Sequence, residues 1–309
     1  MSEFKFGIYI PSLQRTVYFG QLTNYMHKNV LKYNQNNDMK GMTDCLLHII
    51  NQLGDDIDVK SLNKIDIFCI LLTIRIVCIA PTLELHMKCD ATDKEYKNTI
   101  DLNDVLQMAS DLTYTSHNYI DIDDNISIKL TIPHNIYTDK GSMIDVIVDC
   151  INFIKIKGQE YDLARLELQE RRRLIDILPG NTFMRAVEYA NESQAKFDDF
   201  IILTDKSPHD DSSGEKIHRL GLYDNSMFDF IKLTYSGHLS THYQLIYTLT
   251  AKIGMDPVYV ESITPAEANI YVKFKRDEVE RENSSRKKNA SRNTGPPLPN
   301  RMGSQVDNV

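Results

Sequence analysis

His86 and Cys89 stand in "HMKC", just ahead of the turn-like stretch "DATDKE". A His and a Cys beside a strand and turn make half of a zinc ribbon. Structural zinc takes four nitrogen or sulfur ligands, and no second C-x-x-C or H-x-x-C follows at ribbon spacing. "DIDDN", Asp121 to Asn125, opens like a calcium loop. Its sixth position is Ile126 rather than Gly, and its twelfth is Ile132 rather than Glu, so the loop fails as a calcium site. "ERRR", Glu170 to Arg173, reads either as a solvated helix face with local ion pairs or as a basic contact for an acidic partner. His238 and His242 are four apart and could share a helix face, but no Glu sits between them as in H-E-x-x-H. Ser, His and Asp are present without a nucleophile elbow, and nothing sets a nucleophile beside a base. No residue is assigned as catalytic, cofactor-binding or metal-binding. The expectation is a protein that is not an enzyme and needs no cofactor, with a small metal-binding module around His86 and Cys89 as the alternative.

The bulk composition agrees with a binding protein. The chain has 309 residues, 42% hydrophobic and 25% charged, without Trp and with 13 Gly. That is enough apolar surface for one large core or two small ones, and too little Gly for a Gly-rich nucleotide-binding sheet. The net charge is -8. From Asn283 onward five basic residues face Asp307 alone, giving +4, so residues 1–282 carry -12. An acidic body repels nucleic acid and anionic lipid and favours basic partners. The five cysteines are odd in number and lack C-x-x-C spacing, as expected of buried free thiols in a reducing compartment. No secretion signal is evident. The most apolar stretch, Ile65 to Pro81, is shorter than the ~20 residues of a membrane span and contains Asp66 and Arg75. It reads as a buried helix.

These groups must be carried by a fold, and the periodicities predict an α+β protein, mainly helical with several short antiparallel β-hairpins. Alternation through Phe4, Phe6, Ile8 and Ile10, a break at Pro11-Ser12, and resumption at Val17 and Phe19 predict an opening hairpin. Helices follow, with Thr43 and Gly54 marking the ends of the second. Residues 1–80 form the first unit, hairpin plus helices. Residues 81–136 form a β-rich patch, with a hairpin at 82–102 and alternation at Ile126, Ile128, Leu130 and Ile132. Residues 137–230 are helical with a second polar-tipped hairpin at 200–222. There Met143, Ile144, Ile147, Val148, Ile151 and Ile154 are expected on one helix face. Residues 231–282 form a C-terminal helical extension whose last helix starts at Thr264, with Pro265 at its first position and Glu267 at its third. Residues 283–309 are expected to be a disordered basic tail.

The order of these blocks resembles the baseplate hub subunit family of T-even-type contractile-tail bacteriophages. Four blocks carry the likeness: "IYIPSLQRTVYFGQLTNYMHKNVLKY"; "IDIFCILLTIRIVCIAPTLELHMKCDATDKEYKNTIDLNDV"; "DVIVDCINFIKIKGQEYDL"; and "ERRRLIDILPGNTFMRAVEYANE", which leads to "LGLYDNSMFDF". They span about Phe4 to Phe230. The resemblance implies a hub subunit or hub assembly factor that works by protein–protein binding, with other baseplate hub and tail proteins as partners and no nucleic acid or membrane. It implies action in the host cytoplasm during assembly, with a place in the virion and self-association left open. A generic cytosolic interaction adapter fits the composition equally well. The candidate interface residues are Tyr9 and Tyr18 on the hairpin and Tyr243, Tyr247 and Tyr271 in the C-terminal extension, where Tyr235 and Tyr259 also lie, since Tyr is enriched at interface hot spots.

Overall fold

The computed structural model describes residues 4–112, 118–138, 143–163, 166, 168–195, 197, 199–209 and 215–293. The chain opens with strands β1 (Phe6–Ile10) and β2 (Arg15–Phe19), an antiparallel hairpin pairing Phe6 with Phe19 and Ile10 with Arg15. Helix α1 (Asn24–Gln35) starts at Thr23, whose hydroxyl accepts from Met26 N. Helix α2 (Met39–Leu53) is capped by Asp38. Thr43 is therefore inside this helix and not its cap, with its hydroxyl donating to Met39 O at 2.8 Å. Gly54 does end the helix.

Helix α3 (Lys64–Cys78) is the long apolar run. Asn63 and Asp66 close a capping box at its start. Ile65, Ile67, Phe68, Ile70, Leu71, Leu72 and Ile74 are all buried, as befits a helix that is hydrophobic all round and central to a core. Strands β3 (Thr82–Lys88) and β4 (Glu95–Asp101) pair as the second hairpin, followed by α4 (Leu102–Asp111). The first hairpin, α1–α4, the β3–β4 pair and a later helix share one large core.

A second, smaller core lies on a four-stranded antiparallel sheet. Its strands are β5 (Asn118–Asp121), β6 (Ile126–Leu130), β7 (Ile151–Ile156) and β8 (Gln159–Asp162). Helix α5 (Met143–Cys150) precedes β7 without a gap. This corrects the single helix expected through Ile154: helical conformation stops at Cys150, and Ile151 enters the sheet. The pairing Ile126–Ile156 and Ile128–Ile154 explains the switch, because backbone groups that a helix would satisfy locally are satisfied by the neighbouring strand. Helices α6 (Leu168–Asp176) and α7 (Gly180–Ala195) follow.

The chain then returns to the large core through β9 (Ile201–Asp205), β10 (Lys216–Arg219) and α8 (Ser226–Thr234). Helices α9 (Leu239–Tyr247), α10 (Pro257–Ser262) and α11 (Pro265–Asn293) build a third small cluster around Leu249, Val260, Ile263 and Ala268. Thr264 caps α11 as expected, its hydroxyl accepting from Glu267 N at 3.1 Å. The helix continues beyond Glu282, where disorder is expected from composition, to Asn293. The rest of the expected tail lies outside the described residues. The α+β expectation and the hairpins at 4–20, 82–102 and 200–222 agree with the structure.

Candidate interaction surfaces

The opening hairpin divides its residues sharply between two faces. Ile8, Ile10, Val17 and Phe19 are buried in the large core. Alternation puts Gly7, Tyr9, Thr16 and Tyr18 on the other face. Tyr9 and Tyr18 are 55% and 57% exposed. An isolated hairpin is marginal in water, so the anchors of this one matter. Asp66 at the first turn of α3 accepts from Ser12 N at 3.1 Å and from the Ser12 hydroxyl at 2.5 Å, fastening the hairpin turn to the helix start. Burial nevertheless raises the Asp66 carboxyl pKa, against the lowering effect of those bonds. At the other end, Gly20 N donates to Leu53 O and Asp55 N to Tyr18 O, both at 2.9 Å, and Lys5 pairs with Asp55 at 2.7 Å. The end of α2 and the start of α3 thus hold a rigid ribbon whose outer face carries two tyrosines. Along the outer edge of β1, among the described residues, no backbone pairing is present.

The second surface is the C-terminal extension. Tyr243 and Tyr247 are four apart on α9 and 50% and 58% exposed, so they share a helix face. Tyr271 is only half-buried surface: its hydroxyl lies 3.4 Å from that of Tyr259 and 3.5 Å from Glu267 Oε1. Tyr235 departs from expectation. It is buried in the large core and donates to Leu71 O at 2.8 Å, and burial pushes its phenol pKa far up. The extension is docked on α1 through polar contacts: Asn24 Nδ2 to Val260 O at 2.9 Å, Asn24 N to Ile263 O at 2.8 Å, and Lys28 to Glu261 at 2.6 Å. His242 packs edge-on against His27, with ring centroids 6.0 Å apart, rather than pairing with His238, which sits at the N-cap of α9.

The remaining sequence candidates fall apart or turn inward. Period-two geometry sends His86 to an exposed face of β3 and Cys89 to the buried side with Leu83. The pair does not converge. Among the described residues no group of three or more His, Cys, Asp or Glu could hold a metal ion. In "DIDDN", Asp123 Oδ1 accepts from Asn125 N at 2.7 Å and Ile126 N at 2.9 Å, making a local turn between β5 and β6. The "ERRR" run is neither a wholly solvated face nor a free basic patch: Arg171 is buried 3.4 Å from Asp149, and Arg172 pairs with Asp145.

Two structural residues escaped the sequence reading, which treated them only as interruptions of an apolar run. Asp66 is the hairpin anchor. Arg75 is a clamp: its Nε donates to Thr234 O at 2.6 Å, and its two Nη atoms reach Ala80 O and Thr82 O. The signal was available, since a lone charge inside a buried helix must be hydrogen-bonded to persist there.

A family model described as T4 bacteriophage base plate protein matches residues 1–197. No curated protein and no solved structure gives a match. The matched span takes in the first hairpin, helices α1–α4 with the β3–β4 pair, the four-stranded sheet and α7, which hold three of the four resembling blocks and the start of the fourth. On this match over more than half its length, the chain belongs to the T4 bacteriophage base plate protein family, with a structural role in the phage tail baseplate.

Proposed function

We propose that this chain works in the baseplate hub, as a subunit or as a factor in hub assembly, by binding other tail proteins through the outer face and open edge of its N-terminal hairpin. The observation that carries this reading is the contrast between the two hairpin faces. The inner one is buried and tied to α2 and α3. The outer one presents Tyr9 and Tyr18 more than half exposed. A pre-organised ribbon with an unpaired edge can add to a partner's sheet by main-chain hydrogen bonds, while its two rings fill side-chain pockets. Tyr243 and Tyr247 on α9 form a second contact in the same reading, with Tyr271 on α11, beside Tyr259, as a further contact residue. The acidic body suits basic partners and disfavours nucleic acid and anionic membranes. Binding takes place in the host cytoplasm during assembly.

The test compares two double variants, Tyr9→Asp with Tyr18→Asp and Tyr243→Asp with Tyr247→Asp. Point changes are preferable to truncation after Phe230, which would remove Ile231 and Tyr235 from the large core. Circular dichroism checks folding, and affinity capture from infected cells checks recovery of tail-hub proteins. The hairpin variant is expected to stay folded and lose at least one hub protein. If both variants fold and retain every hub partner, the assignment is wrong.

A further inference from the structure

Beside the four-stranded sheet is a cavity of about 150 Å³ that stands apart from both tyrosine surfaces. Ile126 and Ile128 of β6, Ile154 of β7, and Leu163 form its base, and the α6–α7 connection with Ile177 and Leu178 forms its rim. Ile177 is 77% exposed, so the rim opens to solvent. Among the described residues, Arg171 is the one polar side chain in this lining, and it is 8% exposed. Its Nε and Nη1 are buried without a hydrogen-bond partner. The nearby carboxylate does not absorb them. Asp149 already accepts from Asn135 N at 3.0 Å and Asn135 Nδ2 at 2.8 Å, and it meets only Nη2 of Arg171, at 3.4 Å.

Buried guanidinium donors without acceptors are unusual, because such groups are nearly always satisfied. Water is a poor candidate for the role here. A buried water makes roughly 2–4 hydrogen bonds, whereas this lining offers one polar side chain and otherwise aliphatic surface. The size is informative too. A cavity of ~150 Å³ lined by aliphatic side chains accepts a group about as large as benzene, below the ~300 Å³ at which cofactor pockets begin.

The geometry points to a binding site for a small apolar carboxylate. Its stem of about six carbon atoms would lie against Ile126, Ile128 and Ile154, and its oxygens would accept from Arg171 Nε and Nη1. The same chemistry is offered by a short-chain fatty acid and by the free C-terminal Leu or Ile of a peptide.

The test is a titration followed by NMR of isotope-labelled Ile methyl groups in the full chain. The probes are hexanoate for the fatty-acid source and N-acetyl-leucine for the peptide source, with 1-hexanol and hexylamine as controls. One or both carboxylates are expected to shift the Ile126, Ile128 and Ile154 methyls saturably, at least tenfold tighter than either control, and the tighter of the two identifies the source. Arg171→Met should abolish that preference. Leu178→Trp, at the rim and away from the Asp149 contact, should block binding while leaving the remaining methyl spectrum intact. If neither carboxylate shifts these methyls saturably, or if hexanol binds as tightly as hexanoate, the inference fails. It also fails if Leu178→Trp binds unchanged.

Discussion

Acidification from pH 7.5 to pH 5 should destabilise this protein through His27. This residue lies on α1 with its Nδ1 buried and unpartnered, against the ring of His242 from α9. Burial, then His242, then Arg75, hold its pKa down at about 3, against an ordinary value of 6.5. Burial and Lys28 lower His242 as well, against the opposing effect of Glu261. In the unfolded chain His27 takes a proton as pH falls through 6.5; in the folded chain it stays neutral. The unfolded state therefore binds more protons, and stability falls as pH drops below about 6.5, levelling off only near pH 3. At 1.36 kcal/mol per unit of difference, His27 alone costs about 2 kcal/mol by pH 5 and about 5 kcal/mol at the plateau. The assay is chemical denaturation at pH 7.5, 6 and 5 for the natural chain and for His27→Phe, which fills the site without titrating. Carboxylates titrate equally in both proteins, so the difference isolates His27. The variant should lose about 2 kcal/mol less than the natural chain over this range. Equal losses in both proteins, or a His27 ring that titrates near 6.5 by NMR, would refute the argument.

Asp66→Ala should cost about 3 kcal/mol in urea unfolding, because Ser12 and the start of α3 lose their shared acceptor; Asp66→Asn should recover part of it. Arg75→Met should cost about 3 kcal/mol or more, since Thr234 O, Ala80 O and Thr82 O lose a common donor. Gly54→Ala should cost about 1–3 kcal/mol by thermal denaturation, as a Cβ there would come within 2.6 Å of Ile57 Cγ2 and 2.8 Å of Phe19 Cε1.

Local pattern alone carries much of this architecture. Strict alternation bounded by Pro11-Ser12 and by "DATDKE" marks two hairpins, because period two has no competing helical reading. The apolar run from Ile65 to Pro81 marks the central helix, although Asp66 shows there only as an interruption and its capping box with Asn63 emerges in the fold. Thr264, Pro265 and Glu267 announce α11 by cap chemistry that acts within one turn. The order of these local signals is also what carries the family resemblance.

Where two local readings are equally good, tertiary structure decides. The run from Met143 to Ile156 is rich in β-branched apolar residues on both sides of Cys150, with Asp145, Asp149, Asn152 and Lys155 interspersed, so period alone does not divide it. The division at Cys150 comes from β6, which pairs with β5 along one edge and takes β7 along the other. Arg171, in a run of charges, is drawn under α6 to Asp149 and the isoleucine cavity, and His27 finds His242 more than two hundred residues away. Tyr235 and Tyr243 have the same composition signal, yet one is buried against Leu71 O and the other exposed. Caps, turns and periods are set by neighbours within a few residues, and the sequence by itself determined them. Burial, long-range pairing and the fate of each charge depend on which distant surfaces meet, and only the assembled fold decided those.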